Sequence, residues 1–211
     1  MRLNKLYLIT AIAAASSLPA FADDTGAYVL GSVGNSQPNI GQSTFDGRLG
    51  SAGATNVGSS WENSDWGWKA QLGYQFNRNF ALEGGYVNLG DVSYNASYTQ
   101  GTATGDYKVD GWDVAGLGIL PLDNNFSMFG KLGVIDARVT ADLFGTWLNG
   151  VGNANDAVTS WRPEYGFGAM YNFTRNTGLR LEFEQINGVG NSSTTGQANV
   201  DLMSLGATYR F

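Results

Sequence analysis

The sequence predicts an all-β fold, an eight-stranded antiparallel transmembrane up-and-down β-barrel, on three observations. Apolar or aromatic residues alternate with small or polar ones along segments of about ten residues, as strands do with one face in lipid and the other in a polar interior. Tight turns and long Gly-, Ser-, Asn- and Thr-rich stretches join these segments in strict alternation. The closing segment, Met203 to Phe211, holds the alternation to its last residue. No internal stretch approaches the roughly 20 apolar residues of a membrane helix, and backbone polar groups in lipid must be satisfied within the protein. The exported chain therefore spans as a closed barrel or not at all.

Export is predicted by the N-terminus. Arg2 and Lys5 precede the apolar core Leu6 to Ala15, and Ala20-Phe21-Ala22 stands before Asp23 as a cleavage site. Residues 1–22 thus read as a cleaved secretory signal peptide and residues 23–211 as the barrel. The formal net charge is −6, and removing Arg2 and Lys5 makes it more acidic, so the basic footprint of a nucleic-acid binder is missing. Without cysteine, neither disulfides nor thiolate metal sites contribute.

The strands follow in order. The first, about Ala27 to Val33, has both faces apolar or small, which leaves its register open. The second places Trp66, Trp68, Ala70, Leu72, Tyr74 and Phe76 towards lipid and Gly67, Lys69, Gln71, Gly73 and Gln75 inward. After the turn Asn77-Arg78-Asn79, Phe80, Leu82, Gly84 and Tyr86 face out. Trp112, Val114, Gly116, Gly118 and Leu120 face out on the next strand, because the opposite register would put Asp113 in lipid. Beyond Pro121 to Asn125 come Phe126, Met128, Gly130, Leu132 and Val134. The last hairpin pairs Tyr165, Phe167, Ala169, Tyr171 and Phe173 with Leu179, Leu181 and Phe183, and Leu202 to Phe211 completes eight strands.

The stretches 35–64, 90–111, 140–160 and 187–199 are predicted as four external loops, with both termini periplasmic. They are mildly acidic and carry few apolar residues; Phe144 to Leu148 still alternates and is expected to extend a strand above the membrane. Trp66, Trp68 and Trp112 near the loops, and Tyr74, Phe76, Phe80, Phe126, Tyr171, Phe173, Tyr209 and Phe211 near the turns, form two aromatic girdles.

Lys69, Glu83, Lys131, Glu164, Arg180, Glu182, Glu184 and Arg210 are assigned inward, in a tube barely wide enough for its own side chains. Two roles stay open: a packed polar plug, or a narrow water path gated by Glu83 and a basic partner. With no histidine in the chain, Ser-His and Asp-His mechanisms are excluded. Glu182 and Glu184 share one strand face, and their expected role is to pair with Lys or Arg. No catalytic residue, cofactor or metal is expected.

In Leu82-Glu83-Gly84-Gly85-Tyr86, Lys131-Leu132-Gly133, Arg180-Leu181-Glu182 and Leu205-Gly206-Ala207-Thr208-Tyr209-Arg210-Phe211 the chain resembles the transmembrane domain of the OmpA family. The resemblance implies a bacterial outer-membrane location among lipid and lipopolysaccharide, and a terminal signal, Tyr209 and Phe211, read by the barrel-assembly machinery. It also implies a lumenal pair, Glu83 with Arg180, acting as a gate that a lysine breaks by exchanging partners. The strand around Gly116-Leu117 lacks that lysine, so exchange falls to Lys69 or Lys131. Full-length family members carry a peptidoglycan-binding domain after the barrel, and none follows Phe211, so an intrinsic wall tether is not expected. The expected function is a monomeric structural and surface-display barrel serving envelope integrity or adhesion, with a surface ligand held by the loops. The alternative is a small gated pore for ions or small solutes.

Overall fold

A computed structural model describes residues 25–39, 55–61, 64–99, 101–147, 150–191 and 196–211. The leader and its cleavage site lie outside the described residues. Nine strands follow: β1 (Gly26–Pro38), β2 (Gly58–Trp61), β3 (Asp65–Asn77), β4 (Phe80–Tyr98), β5 (Gly101–Pro121), β6 (Phe126–Trp147), β7 (Gly150–Asn172), β8 (Thr177–Asn191) and β9 (Gly196–Arg210). All except β2 form a closed antiparallel eight-stranded barrel, in which β1 pairs with both β3 and β9, and β4 with both β3 and β5. The short β2 pairs with the outer part of β4.

Alternation sorts the side chains as lipid requires. Trp66, Leu72, Phe80, Trp112, Leu132, Phe167 and Leu205 are exposed, while Lys69, Gln71, Glu83, Asp113, Lys131, Glu164 and Ser204 on the same strands are buried. The ambiguous β1 places Tyr28, Leu30, Ser32 and Ser36 inward and Val33 outward. Tyr28 pairs with Gly73, and a Cβ at Gly73 would come within 2.2 Å of the tyrosine ring, so the glycine makes the space that this register needs.

The strands run further than hydropathy shows. A membrane strand needs about 9–11 residues, yet β5, β6 and β7 have 21, 22 and 23. Most of 90–111 and 140–160, expected to be loops, is hairpin: β4 pairs with β5 up to Tyr98↔Gly101 and β6 with β7 up to Trp147↔Gly150. The β8 and β9 strands likewise narrow the connection expected at 187–199. The reason is solvent. Above the membrane both faces of a hairpin are free to be polar, so the backbone ladder continues after the apolar period has gone. Trp147 ends β6 as part of this extension, and Leu148 lies outside the described residues.

Bulges adjust the upper rim. The β4–β5 register breaks between Asn88 and Asp91, where Gly90 takes φ 83°, and the β8–β9 register breaks between Ile186 and Val189, where Gly188 takes φ 66°. Ring pairs mark both interfaces: Trp68–Tyr86 and Tyr86–Trp112 above, with centroids 5.6 and 5.4 Å apart, and Tyr74–Phe76, Tyr171–Phe173 and Tyr209–Phe211 below, at 5.1 to 5.3 Å. Trp161, 65% exposed and paired with Asp136 opposite Trp112, joins the upper girdle.

Candidate functional site in the barrel interior

The inward residues are stacked in layers. On β4 the order is Ala81, Glu83, Val87; on β5 Val109, Asp113, Leu117; on β6 Phe129, Lys131, Ile135; on β8 Arg180, Glu182, Glu184, Ile186. Each strand therefore gives charge to a middle layer and apolar side chains above or below it. Above, Val87, Leu89, Val109, Ile135, Ala137, Val139, Ile186, Val189, Val200 and Leu202 form one apolar cluster. Below, Tyr28, Ala81, Leu117, Ile119 and Phe129 form a second, with Met170 against it.

Between them runs a chain of alternating charge. Tyr28 donates its hydroxyl hydrogen to Glu83 Oε1, at 2.5 Å, and Arg180 Nη1 pairs with the same oxygen. Arg180 Nη2 reaches Glu182 Oε1 at 3.1 Å. Lys69 Nζ then joins Glu182 Oε2 at 2.8 Å to Glu184 Oε2 at 2.6 Å. Lys131 Nζ continues from Glu184 Oε1 at 2.7 Å to Asp113 Oδ2 at 3.1 Å and Glu164 Oε1 at 3.2 Å. Gln71 Nε2 donates to Asp113 Oδ2 at 2.7 Å, and the Arg180 guanidinium lies 4.1 Å from the centroid of the Phe129 ring. All eight charged residues are at most 2% exposed.

Such a layer stands only because each charge meets its opposite, since an isolated ion there costs several kcal/mol. Glycines make room: a Cβ at Gly133 would come within 2.7 Å of Glu164 Oε1, and one at Gly85 would meet the Gln71 side chain at 2.7 Å. Carboxylate oxygens of Asp113, Glu164 and Glu184 lie within 4.8 Å of one another, a spacing that suits a cation, and the Lys131 ammonium already fills that role.

The structure brings Lys69, Glu83, Lys131, Arg180, Glu182 and Glu184 into this one network. Arg210 stands apart: it donates to Gln75 at the opposite end of β3 from Lys69 and lines a turn-side vestibule of about 590 Å³ together with Arg78 and Arg175. Tyr209 faces outward beside Phe211 at the end of β9. Glu83→Gln removes the charge that Arg180 and Tyr28 share. It is expected to lower stability by about 1–3 kcal/mol in urea unfolding of the refolded barrel.

Comparison with known proteins places this architecture. Residues 23–211 match the model of the OmpA-like transmembrane domain. The chain belongs to that family. This OmpA-like barrel is 29% identical to outer membrane protein A of Yersinia pseudotuberculosis over 209 residues, covering 96% of the chain and 55% of that protein. It is 28% identical to outer membrane protein A of Serratia marcescens, covering 96% of the chain and 56% of that protein. The chain thus spans about half the length of these relatives. Among solved structures it is similar to Neisserial surface protein A, with TM-score 0.49, 14% identity and coverage of 88% and 97% of the two chains. The N-terminal barrel domain of Pseudomonas aeruginosa OprF gives TM-score 0.49, 11% identity and 88% and 98% coverage. The OmpA-like barrel is a protein of the bacterial outer membrane.

Four residues of the OmpA-like interior escape a reading based on charge alone. Asp113 was signalled by its register, since it could not face lipid, but not as a partner of Lys131. Gln71 lacks a charge, Tyr28 sits on the strand with two similar faces, and Phe129 stacks on a guanidinium two strands away.

Proposed function

We propose that this OmpA-like barrel is a closed-lumen structural component of the outer membrane that displays an extended sheet at the cell surface. What carries the reading is the charged layer lying between two apolar clusters. A solute would have to separate apolar side chains above the layer and again below it, and part ion pairs buried in a low dielectric in between. The barrel works as a monomer, because strand pairing closes within one chain at membrane depth. Lipid and lipopolysaccharide surround it, and Tyr209 and Phe211 serve the assembly machinery. It has no enzymatic role: the carboxylates a hydrolase would need are occupied in ion pairs.

Display is tested by single cysteines in a chain that has none of its own. On intact cells, a membrane-impermeant maleimide is expected to label Thr159→Cys, exposed on β7, and to spare Asn124→Cys in the turn between β5 and β6. Labelling of Asn124→Cys with protection of Thr159→Cys would invert the topology and end the display reading.

A second reading, a gated pore, draws on one observation. Glu182 is shared between Arg180 and Lys69, so Arg180 has a second partner if Glu83 is released.

A further inference from the structure

Followed from Glu83, the charged layer alternates in sign through Arg180, Glu182, Lys69 and Glu184 to Lys131. Up to that point acids and cations match one for one. Beyond it stand Asp113 and Glu164, which reach the same Lys131 at 3.1 and 3.2 Å and pair with no other cation among the described residues. The layer's excess of negative charge is therefore located at these two acids, and both are buried.

Hydrogen bonding is incomplete at the same place. Glu164 Oε2, Asp113 Oδ1 and the carbonyl oxygen of Gln71, Oε1, are buried with no hydrogen-bond donor among the described residues. Gln71 is not an acid, yet its amide is anchored to the spot: Nε2 donates to Asp113 Oδ2 at 2.7 Å, which sets Oε1 of the same amide beside the carboxylates. Glu83 Oε2 also lacks a donor, but that carboxylate already has its cation in Arg180. Two glycines open the wall here. Gly85 lies between Gln71 and Asp113 in one cross-strand row, and Gly133 lies beside Glu164, where a Cβ would come within 2.7 Å of Oε1. A buried acceptor without a donor is costly and a buried charge without its opposite more so, so charge and geometry call for the same thing, a positive group.

We propose that Asp113, Glu164 and Gln71 form a buried site for one divalent cation, calcium by the chemistry of the donors. Two carboxylates and an amide carbonyl are hard oxygen ligands, and the charge they leave unmet is that of one divalent ion. Oxygens on opposite sides of a calcium ion are about 5 Å apart, and carboxylate oxygens of Asp113, Glu164 and Glu184 lie within 4.8 Å of one another. Magnesium keeps several of its waters, which suits a layer pressed between two apolar clusters poorly, whereas calcium accepts irregular ligand sets. Lys131 does not compete for the ion's place, because each acid gives one oxygen to the ammonium and has the other to give. No metal motif marks the site in the sequence, since its donors come from β3, β5 and β7. The inference stands on charge and hydrogen bonding, and holds whether or not the lumen conducts.

The test refolds residues 23–211 into lipid nanodiscs with calcium or with a calcium chelator, removes unbound ion, and weighs the intact barrel by native mass spectrometry. One retained calcium per barrel is expected, with a higher urea midpoint than in chelator. Gln71→Met keeps every charge and should weaken calcium binding at least about tenfold. Asp113→Asn with Glu164→Gln should abolish retention and make the urea midpoint indifferent to calcium, because the unmet charges are gone. Asp106→Asn, at an exposed position on β5, should retain the ion. Three results would overturn the proposal. The unmodified barrel could hold no calcium. The double variant could hold it undiminished, which would make the ion an adventitious surface ligand. Or the unmodified barrel could be equally stable with and without calcium, which would assign the missing positive charge to protons.

Discussion

Lys131→Met is expected to lower the stability of the refolded barrel by about 3–5 kcal/mol, the range for stranding buried charges without their partner. The ammonium is held among Asp113, Glu164 and Glu184, and methionine fills most of its volume without replacing its charge. The layer already holds five carboxylates, Glu83, Asp113, Glu164, Glu182 and Glu184, against Lys69, Lys131 and Arg180. Losing a cation therefore leaves a larger imbalance than losing an acid. Two comparisons separate this from a general loss of folding. Adding Glu164→Gln to Lys131→Met should recover part of the loss, measured as the urea midpoint. Lys108→Met, which breaks a 3.9 Å pair with Asp91 between half-exposed side chains, should cost no more than about 1 kcal/mol. Equal shifts for Lys131 and Lys108 would remove the interior network from the account of stability.

Gly73→Val is expected to cost about 1–3 kcal/mol or more through overpacking. The added side chain would occupy the volume of the Tyr28 ring, forcing the ring from the lower apolar cluster and its hydroxyl from Glu83. The double variant Tyr28→Ala with Gly73→Val isolates the clash. Its loss should be smaller than the sum of the two single losses, because the alanine vacates the space that valine fills. Strict additivity in melting or urea midpoint would show that Gly73 and Tyr28 do not share this volume.

How much could be read from sequence follows from which solvent each segment meets. At membrane depth lipid enforces alternation, so Trp66 to Phe76 or Leu179 to Phe183 declare their faces residue by residue, and the charges between them have to be inward. Above the membrane that enforcement ends. Val109 and Val189 are buried in the upper apolar cluster, yet they lie in stretches whose Gly, Ser, Asn and Thr content reads as loop. Those two members of the apolar seal over the charged layer were therefore hidden, whereas the other eight, Val87 and Ile135 among them, lie outside the stretches read as loops. The pairing inside the barrel was hidden for another reason. Lys69 on β3 meets Glu182 and Glu184 on β8 although β1 and β9 stand between those strands in the wall. Such contacts across the lumen depend on closure and stagger, which no local pattern encodes. Glu83 with Arg180 came from family resemblance instead, and the structure places the two in contact.

The closed lumen is tested most directly by single-channel recording of residues 23–211 refolded into a planar bilayer, with insertion verified and Glu83→Gln recorded alongside. The account predicts a silent bilayer for both proteins, since the apolar clusters remain on either side of the layer when Glu83 loses its charge. Discrete, reproducible current steps from the unmodified barrel, altered in size or duration by Glu83→Gln, would contradict it.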